Sequence, residues 1–119
     1  KKTAPWSMGK LSPPSAFFSS PTDFTKLLKQ QIAAYQNQET HPLILTKDVR
    51  PIVENVPVNY GYGMVLWGNG VFGGQGEMDG FGGDYSFQPK SQNGFISLTS
   101  CYGDWLGMLA KEISQIIYK

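Results

Sequence analysis

An α+β fold, an antiparallel sheet with a C-terminal helix packed on one face, is predicted by three features of this sequence. An amphipathic helical stretch begins near residue 22, glycine-punctuated segments of alternating character fill the middle of the chain, and a second helical stretch closes it. Strands joined by hairpins and followed by a helix form a layer in which the helix covers one sheet face. The 119 residues suit one small domain with one core.

Residues 1–21 are rich in Pro and Ser, and Pro13, Pro14 and Pro21 deny a regular helix, so they form an irregular approach segment. The structured α+β portion is expected over residues 22–119. Thr22 is placed as the N-cap of the first helix, with Asp23 favoured by the positive end of the dipole. Phe24, Leu27, Leu28, Ile32 and Tyr35 recur at three- and four-residue steps and define one buried face. The polar run to Pro42 ends this helix near Gln36 or Asn37. A short second helix is expected at Thr46 to Val49.

Beyond Pro57 helical steps give way to alternation. Tyr60 to Trp67 has strand character, Gly68-Asn69-Gly70 is a turn signal, and Val71-Phe72 restarts a strand. From Phe81 to Phe87 the odd positions Phe81, Tyr85 and Phe87 share one face, with Asp84, Ser86 and Gln88 on the other. Pro89 to Gly94 is expected to be a loop and Phe95 to Cys101 a further strand. Asp104 is placed as the cap of a final helix carrying Trp105, Leu109, Ile113, Ile116 and Ile117 on its apolar side.

Composition narrows the function. Charged residues make up 16% of the chain and the formal net charge is +1, so no polyanion such as nucleic acid is favoured as a partner. No apolar run reaches the roughly 20 residues that span a bilayer. One cysteine, Cys101, permits no internal disulfide, and with one histidine, His41, no tetrahedral zinc site assembles; no metal or cofactor is expected. His41 reads as a solvated loop histidine without an orienting partner, and Cys101 as a small buried hydrophobe.

Gly68-Asn69-Gly70-Val71-Phe72-Gly73 has the spacing of a dinucleotide fingerprint, but no helix follows it to face a phosphate, and hairpin turns explain it better. Glu77 and Asp79 read as solvated turn carboxylates rather than an acid/base pair. The Phe81, Tyr85, Phe87 stripe reads as core, since a base-stacking platform needs basic residues that are missing. Most of the 14 glycines lie between Gly61 and Gly83. Glycine in a strand costs entropy and contributes no packing, so something must approach that backbone closely, whether a ligand or a neighbouring element.

The stretch from Val71 to Ser100 resembles the C-terminal pattern of serine β-lactamase-like hydrolases, above all the class C β-lactamase, DD-peptidase and esterase group. There a Lys-Thr-Gly or His-x-Gly motif on an inner strand is followed by Gly-Phe, a strand ending in Pro, and a last strand with a small polar terminus. Here Gly80-Phe81, Pro89, Gly94 and Ser100 fall at matching spacings. Pro14 to Phe24 is similar to the family's Pro-x-Gly-Gly-x-x-Ser-Thr-x-x-Asp-Leu helix entry, and Tyr60-Gly61-Tyr62-Gly63 to its Tyr-Gly-x-Gly strand opening.

The resemblance implies part of a β-lactamase/transpeptidase-like fold and acyl transfer on an amide or ester substrate, by a serine of a Ser-x-x-Lys motif aided by a Tyr-x-Asn motif. Ser7-Met8-Gly9-Lys10 spells the first, but Gly9 and Ser12-Pro13-Pro14 oppose the helix it must open, so the match is coincidental. The nucleophile is therefore expected from an upstream segment or another chain. Gly74, Gln75 and Gly76 match Lys-Thr-Gly, so the family's cationic or imidazole side chain is missing at Gly74. By position, the backbone amide of Glu77 takes the oxyanion-hole role and Ser100 the polar substrate-binding role. Related enzymes are often periplasmic or secreted; nothing in the residues themselves reports a compartment.

Two rivals stand beside a hydrolase segment. A non-catalytic scaffold that kept the fold is favoured by Gly74, and an unrelated small ligand-binding domain predicts a self-contained monomer. The hydrolase segment instead predicts an exposed sheet edge and an exposed apolar patch.

Overall fold

The computed structural model describes residues 19–37, 50–51, 59–61, 64–78, 80–101 and 103–119. The elements are α1 (Pro21–Asn37), β1 (Arg50–Pro51), β2 (Asn59–Tyr60), β3 (Val65–Gly68), β4 (Val71–Met78), β5 (Phe81–Gln88), β6 (Asn93–Thr99) and α2 (Trp105–Ile117). The strands pair in chain order as one antiparallel meander, so the predicted α+β class stands. The approach segment up to residue 18 and the helix expected at Thr46 to Val49 lie outside the described residues.

α1 starts at Pro21, and its cap lies two residues earlier than the one assigned to Thr22. Ser20 is the cap: its hydroxyl oxygen accepts from the Asp23 amide at 3.1 Å and donates to the Asp23 carboxylate at 3.0 Å. Pro21 then occupies the first helical position, where a missing N–H loses nothing and a fixed φ suits the helix. The neighbouring Lys26 ammonium and the Ser20 hydroxyl hold the Asp23 carboxyl below its usual range. At the other end, the Gln36 side-chain amide donates to the Pro89 carbonyl at 2.8 Å, tying the last turn of α1 to the β5–β6 loop.

The strand expected over Tyr60 to Trp67 is two strands. A turn closed by the Gly61 amide on the Met64 carbonyl, at 2.9 Å, brings Val65 opposite Tyr60. The β3–β4 hairpin turns at Asn69-Gly70, both with positive φ of 50° and 72°, the left-handed pair that suits the twist of antiparallel strands. The loop after β5 is shorter than expected. Gln92, at φ 60°, makes the reversal, so Asn93 and Gly94 already belong to β6, paired with Gln88 and Phe87. The same strand stops at Thr99, where the Thr99 hydroxyl bonds to the amide and carbonyl of Cys101 and turns the chain off the sheet. Cys101 is consequently exposed, contrary to the buried position expected for it.

The sheet has a helix on each face. Facing side chains in paired strands share a face, so Phe72 with Phe87, and Gly74 with Tyr85 and Ile96, look toward α1. Leu28, Ala34 and Tyr35 of α1 pack there on Met64, Phe72 and Phe87. Phe87 has no exposed surface, and Tyr35 stands edge-on to Phe72 and Phe87 with ring centroids 4.9 and 5.3 Å away. The odd-numbered stripe of β5 is core at Tyr85 and Phe87 as expected, while Phe81 at the strand's start is exposed.

Asp84, Ser86 and Gln88 look the other way, toward α2, as the alternation predicted. α2 meets them with Leu106 and Ala110 rather than with the expected apolar set. Ile113 and Ile117 are half-buried, but Trp105, Met108, Leu109 and Ile116 are exposed, Ile116 at 67%. The Ser86 hydroxyl beneath the C-terminal end of α2 is met by the Tyr118 hydroxyl at 2.7 Å rather than by an apolar side chain. Asp104 holds the N-cap position but is itself in helical conformation and makes no side-chain cap; the Gly103 carbonyl accepts the Leu106 amide instead, at 3.0 Å.

Close approach explains only part of the glycine run. A Cβ on Gly73 would overlap the Tyr85 carbonyl oxygen, whereas one on Gly76 would meet nothing within 4 Å. Gly73→Ala is therefore expected to lower the denaturant midpoint strongly while Gly76→Ala leaves it nearly unchanged. Phe87→Ala should cost about 3–5 kcal/mol in the same urea titration, the usual loss for a buried aromatic.

Candidate functional site

The four matched positions Gly74, Gln75, Gly76 and Glu77 are consecutive in β4. The last pair between β3 and β4 is Val65 with Gly73, so among the described residues Gly74 to Met78 pair only with β5. In a strand, alternate residues direct their N–H and C=O to opposite neighbours, so a one-sided stretch presents backbone donors and acceptors along its free edge. Among the described residues, this stretch of β4 has no strand on its second side, and β6 pairs only with β5.

Gly74 has a local cause. A Cβ there would sit 3.0 Å from Cε1 and 3.2 Å from the hydroxyl of Tyr85, whose ring lies across the position. That ring is held by an edge contact with Phe24, centroids 4.9 Å apart, and by its hydroxyl donating to Met64 Sδ at 3.1 Å. Burial pushes the Tyr85 phenol above its ordinary pKa, so it stays neutral at physiological pH. A neutral aromatic thus lies directly beside Gly74. A shallow ledge of about 340 Å³ runs along this face, over Gly74 and Gly76 and between Phe24, Tyr85, Ile96 and Leu98.

Glu77 is exposed and faces Gly82, which in turn faces Thr99. Ser100 follows that row immediately, is exposed, and lies two strands from Glu77, on the order of 10 Å at the usual strand spacing. β4 therefore brings Gly74 to Glu77 together, while Ser100 stands apart from them. His41 and Asp79 lie outside the described residues. The dinucleotide-like glycines from Gly68 to Gly73 fall on the β3–β4 hairpin, with no helix following them.

A second cluster was not foreseen. On the α2 side of the sheet, the buried Ser86 hydroxyl and the Tyr118 hydroxyl are hydrogen-bonded at 2.7 Å. Asp84, two residues earlier on the same face, is half-buried and makes no hydrogen bond or ion pair with the described residues. Burial raises its carboxyl above the ordinary value. Burial likewise raises the Tyr118 phenol, the Ser86 bond acting against this and the Asp84 charge with it. Alternation in β5 placed Asp84 and Ser86 on one face, but nothing local in the sequence signals that Tyr118 docks on them.

Among the described residues no cluster of three or more His, Cys, Asp or Glu side chains is arranged to hold a metal ion, and no helix is long and apolar enough to cross a membrane.

The Asp84 environment has a measurable pH signature. Its folded pKa lies above the unfolded one, so its contribution to stability is present at pH below about 3.9 and is lost as pH rises through the folded value. Asp84→Asn should accordingly gain stability relative to the wild type between pH 3.5 and pH 7, read as the difference in urea midpoint at each pH. No protein-family model, no curated protein and no solved structure matches this chain.

Proposed function

We propose that this chain is the C-terminal segment of a serine hydrolase acting on amide or ester bonds through an acyl-enzyme, with the nucleophile supplied by another segment or chain. The observation that carries the proposal is the one-sided stretch of β4, where Gly74 to Met78 pair only with β5 among the described residues. Backbone amides on a rigid strand, with an unhindered glycine at position 76, suit an oxyanion that needs donors fixed in advance. Glu77 contributes its amide rather than its exposed carboxylate.

The exposed stripe of Trp105, Met108, Leu109 and Ile116 gives further support. An apolar stripe of this kind on a helix marks a surface that another element covers. It is what a segment of a larger hydrolase requires and a self-contained ligand-binding monomer does not.

Tyr85 favours a second reading, the scaffold. Its ring crowds position 74, where the resemblance calls for a cationic side chain, so a side chain there needs the ring to shift. If the chemistry is retained, the substrate is engaged there without a charged clamp, and turnover of carboxylate-bearing β-lactams is disfavoured relative to neutral esters.

Two measurements test the proposal. The 119-residue chain should release no p-nitrophenol from p-nitrophenyl acetate above the buffer rate, whereas its complex or fusion with the segment bearing Ser-x-x-Lys and Tyr-x-Asn should give an acylation burst. Turnover by the isolated chain, or a coding frame upstream of Lys1 without those motifs, defeats it. In the acylating form, a backbone ester replacing the amide of Glu77 should slow acylation by about 10²–10³, while Glu77→Ala keeps most of the rate.

A further inference from the structure

We propose that the groove between α2 and the sheet binds a zwitterionic aromatic amino acid, its ammonium held by Asp84 and its carboxylate by Lys111. The groove encloses about 460 Å³, within the range of small-molecule sites, and lies on the sheet face opposite the β4 ledge. Asp84 and Lys111 both line it, yet no ion pair joins them; the described residues hold one ion pair, Lys26 with Asp23. Opposite charges that line one cavity without pairing complement a ligand that carries both signs.

Asp84 alone is a half-buried carboxylate without a partner, and such a group is costly unless something pairs with it. Acidic character continues on its side of the groove: the adjoining compartment, which shares Gln75, Asp84 and Gly107, is also lined by Glu77 and Asp104. The ammonium end of a ligand is thereby directed to Asp84 and the carboxylate end toward Lys111. Ser86 and Tyr118 lie along the same wall, joined at 2.7 Å, and supply neutral hydroxyls.

Gly107 is an independent indication. Glycine inside a helix costs about 1 kcal/mol relative to alanine, and this one is not required by packing, because a Cβ there would meet nothing within 4 Å. It lines both compartments, so its missing side chain keeps the groove open above Gln75 and Asp84. Trp67 also lines the groove, and an aromatic side chain on the ligand is the match for it.

The test titrates the 119-residue chain with L-phenylalanine, phenethylamine and 3-phenylpropionate, followed by calorimetry and by the amide resonances of Asp84, Ser86 and Lys111. L-phenylalanine should bind saturably and shift those resonances, with each half-molecule weaker by about tenfold or more, the loss of one charge-assisted contact. Asp84→Asn and Lys111→Met should each weaken L-phenylalanine by a similar factor. Gly107→Leu should abolish binding while raising the melting temperature, which separates a filled groove from an unfolded chain. Equal affinity for all three probes, no saturable binding of L-phenylalanine, or unchanged affinity in Asp84→Asn and Lys111→Met would overturn the proposal.

Discussion

Phe87 is the residue on which the rest of the structure depends. It is the one fully buried large side chain among the described residues, it stacks on Phe72 at 5.8 Å across the β4–β5 pair, and it receives Tyr35 of α1 edge-on at 5.3 Å. Burying an aromatic of this size removes more apolar area from water than any other single contact available to a small core. Because β5 alternates, fixing Phe87 toward α1 also fixes Tyr85 on that side and turns Asp84, Ser86 and Gln88 to the other. One packing decision thus separates an apolar face from a polar one.

The two faces then acquire different uses. On the α1 side, Gly94 lies directly opposite Phe87 and close beneath Leu28, where a Cβ would stand 3.0 Å from Leu28 Cδ2. On the α2 side, amide and hydroxyl side chains act as fasteners. Gln88 donates to the Asn69 carbonyl at 2.9 Å, Asn93 to the Ile117 carbonyl at 3.0 Å, and Ser86 meets Tyr118. α2 is therefore held at its C-terminal end by polar contacts, and its apolar stripe is turned away from the sheet. Gly107, Ala110 and Ser114, small residues among those lining the groove, leave space under it.

Legibility in the sequence followed the range of the cause. The extent of α1, the Asn69-Gly70 turn and the alternation of β5 depend on neighbours within a few residues and were readable. The start of α1 was misplaced because Thr22 looks as good a cap as Ser20 until the preference for Pro21 at the first helical position is weighed. The orientation of α2 was not readable, since its strongest apolar stripe is not the face that packs. Gly74 to Glu77 were singled out by the family resemblance alone, and their pairing on one side among the described residues depends on where β3 stops.

The sequence alone determined that this is an α+β chain whose glycines concentrate in one hairpin region, because periodicity and turn chemistry are local properties. Only the tertiary structure decided what lies against Gly74, since the Tyr85 ring that crowds a Cβ there is brought by pairing across strands. It likewise decided that Asp84, Ser86 and Tyr118 share one groove, because docking α2 on β5 joins residues more than thirty positions apart. Contacts of that span are set by which faces bury best together, a property of the whole fold and of no segment within it.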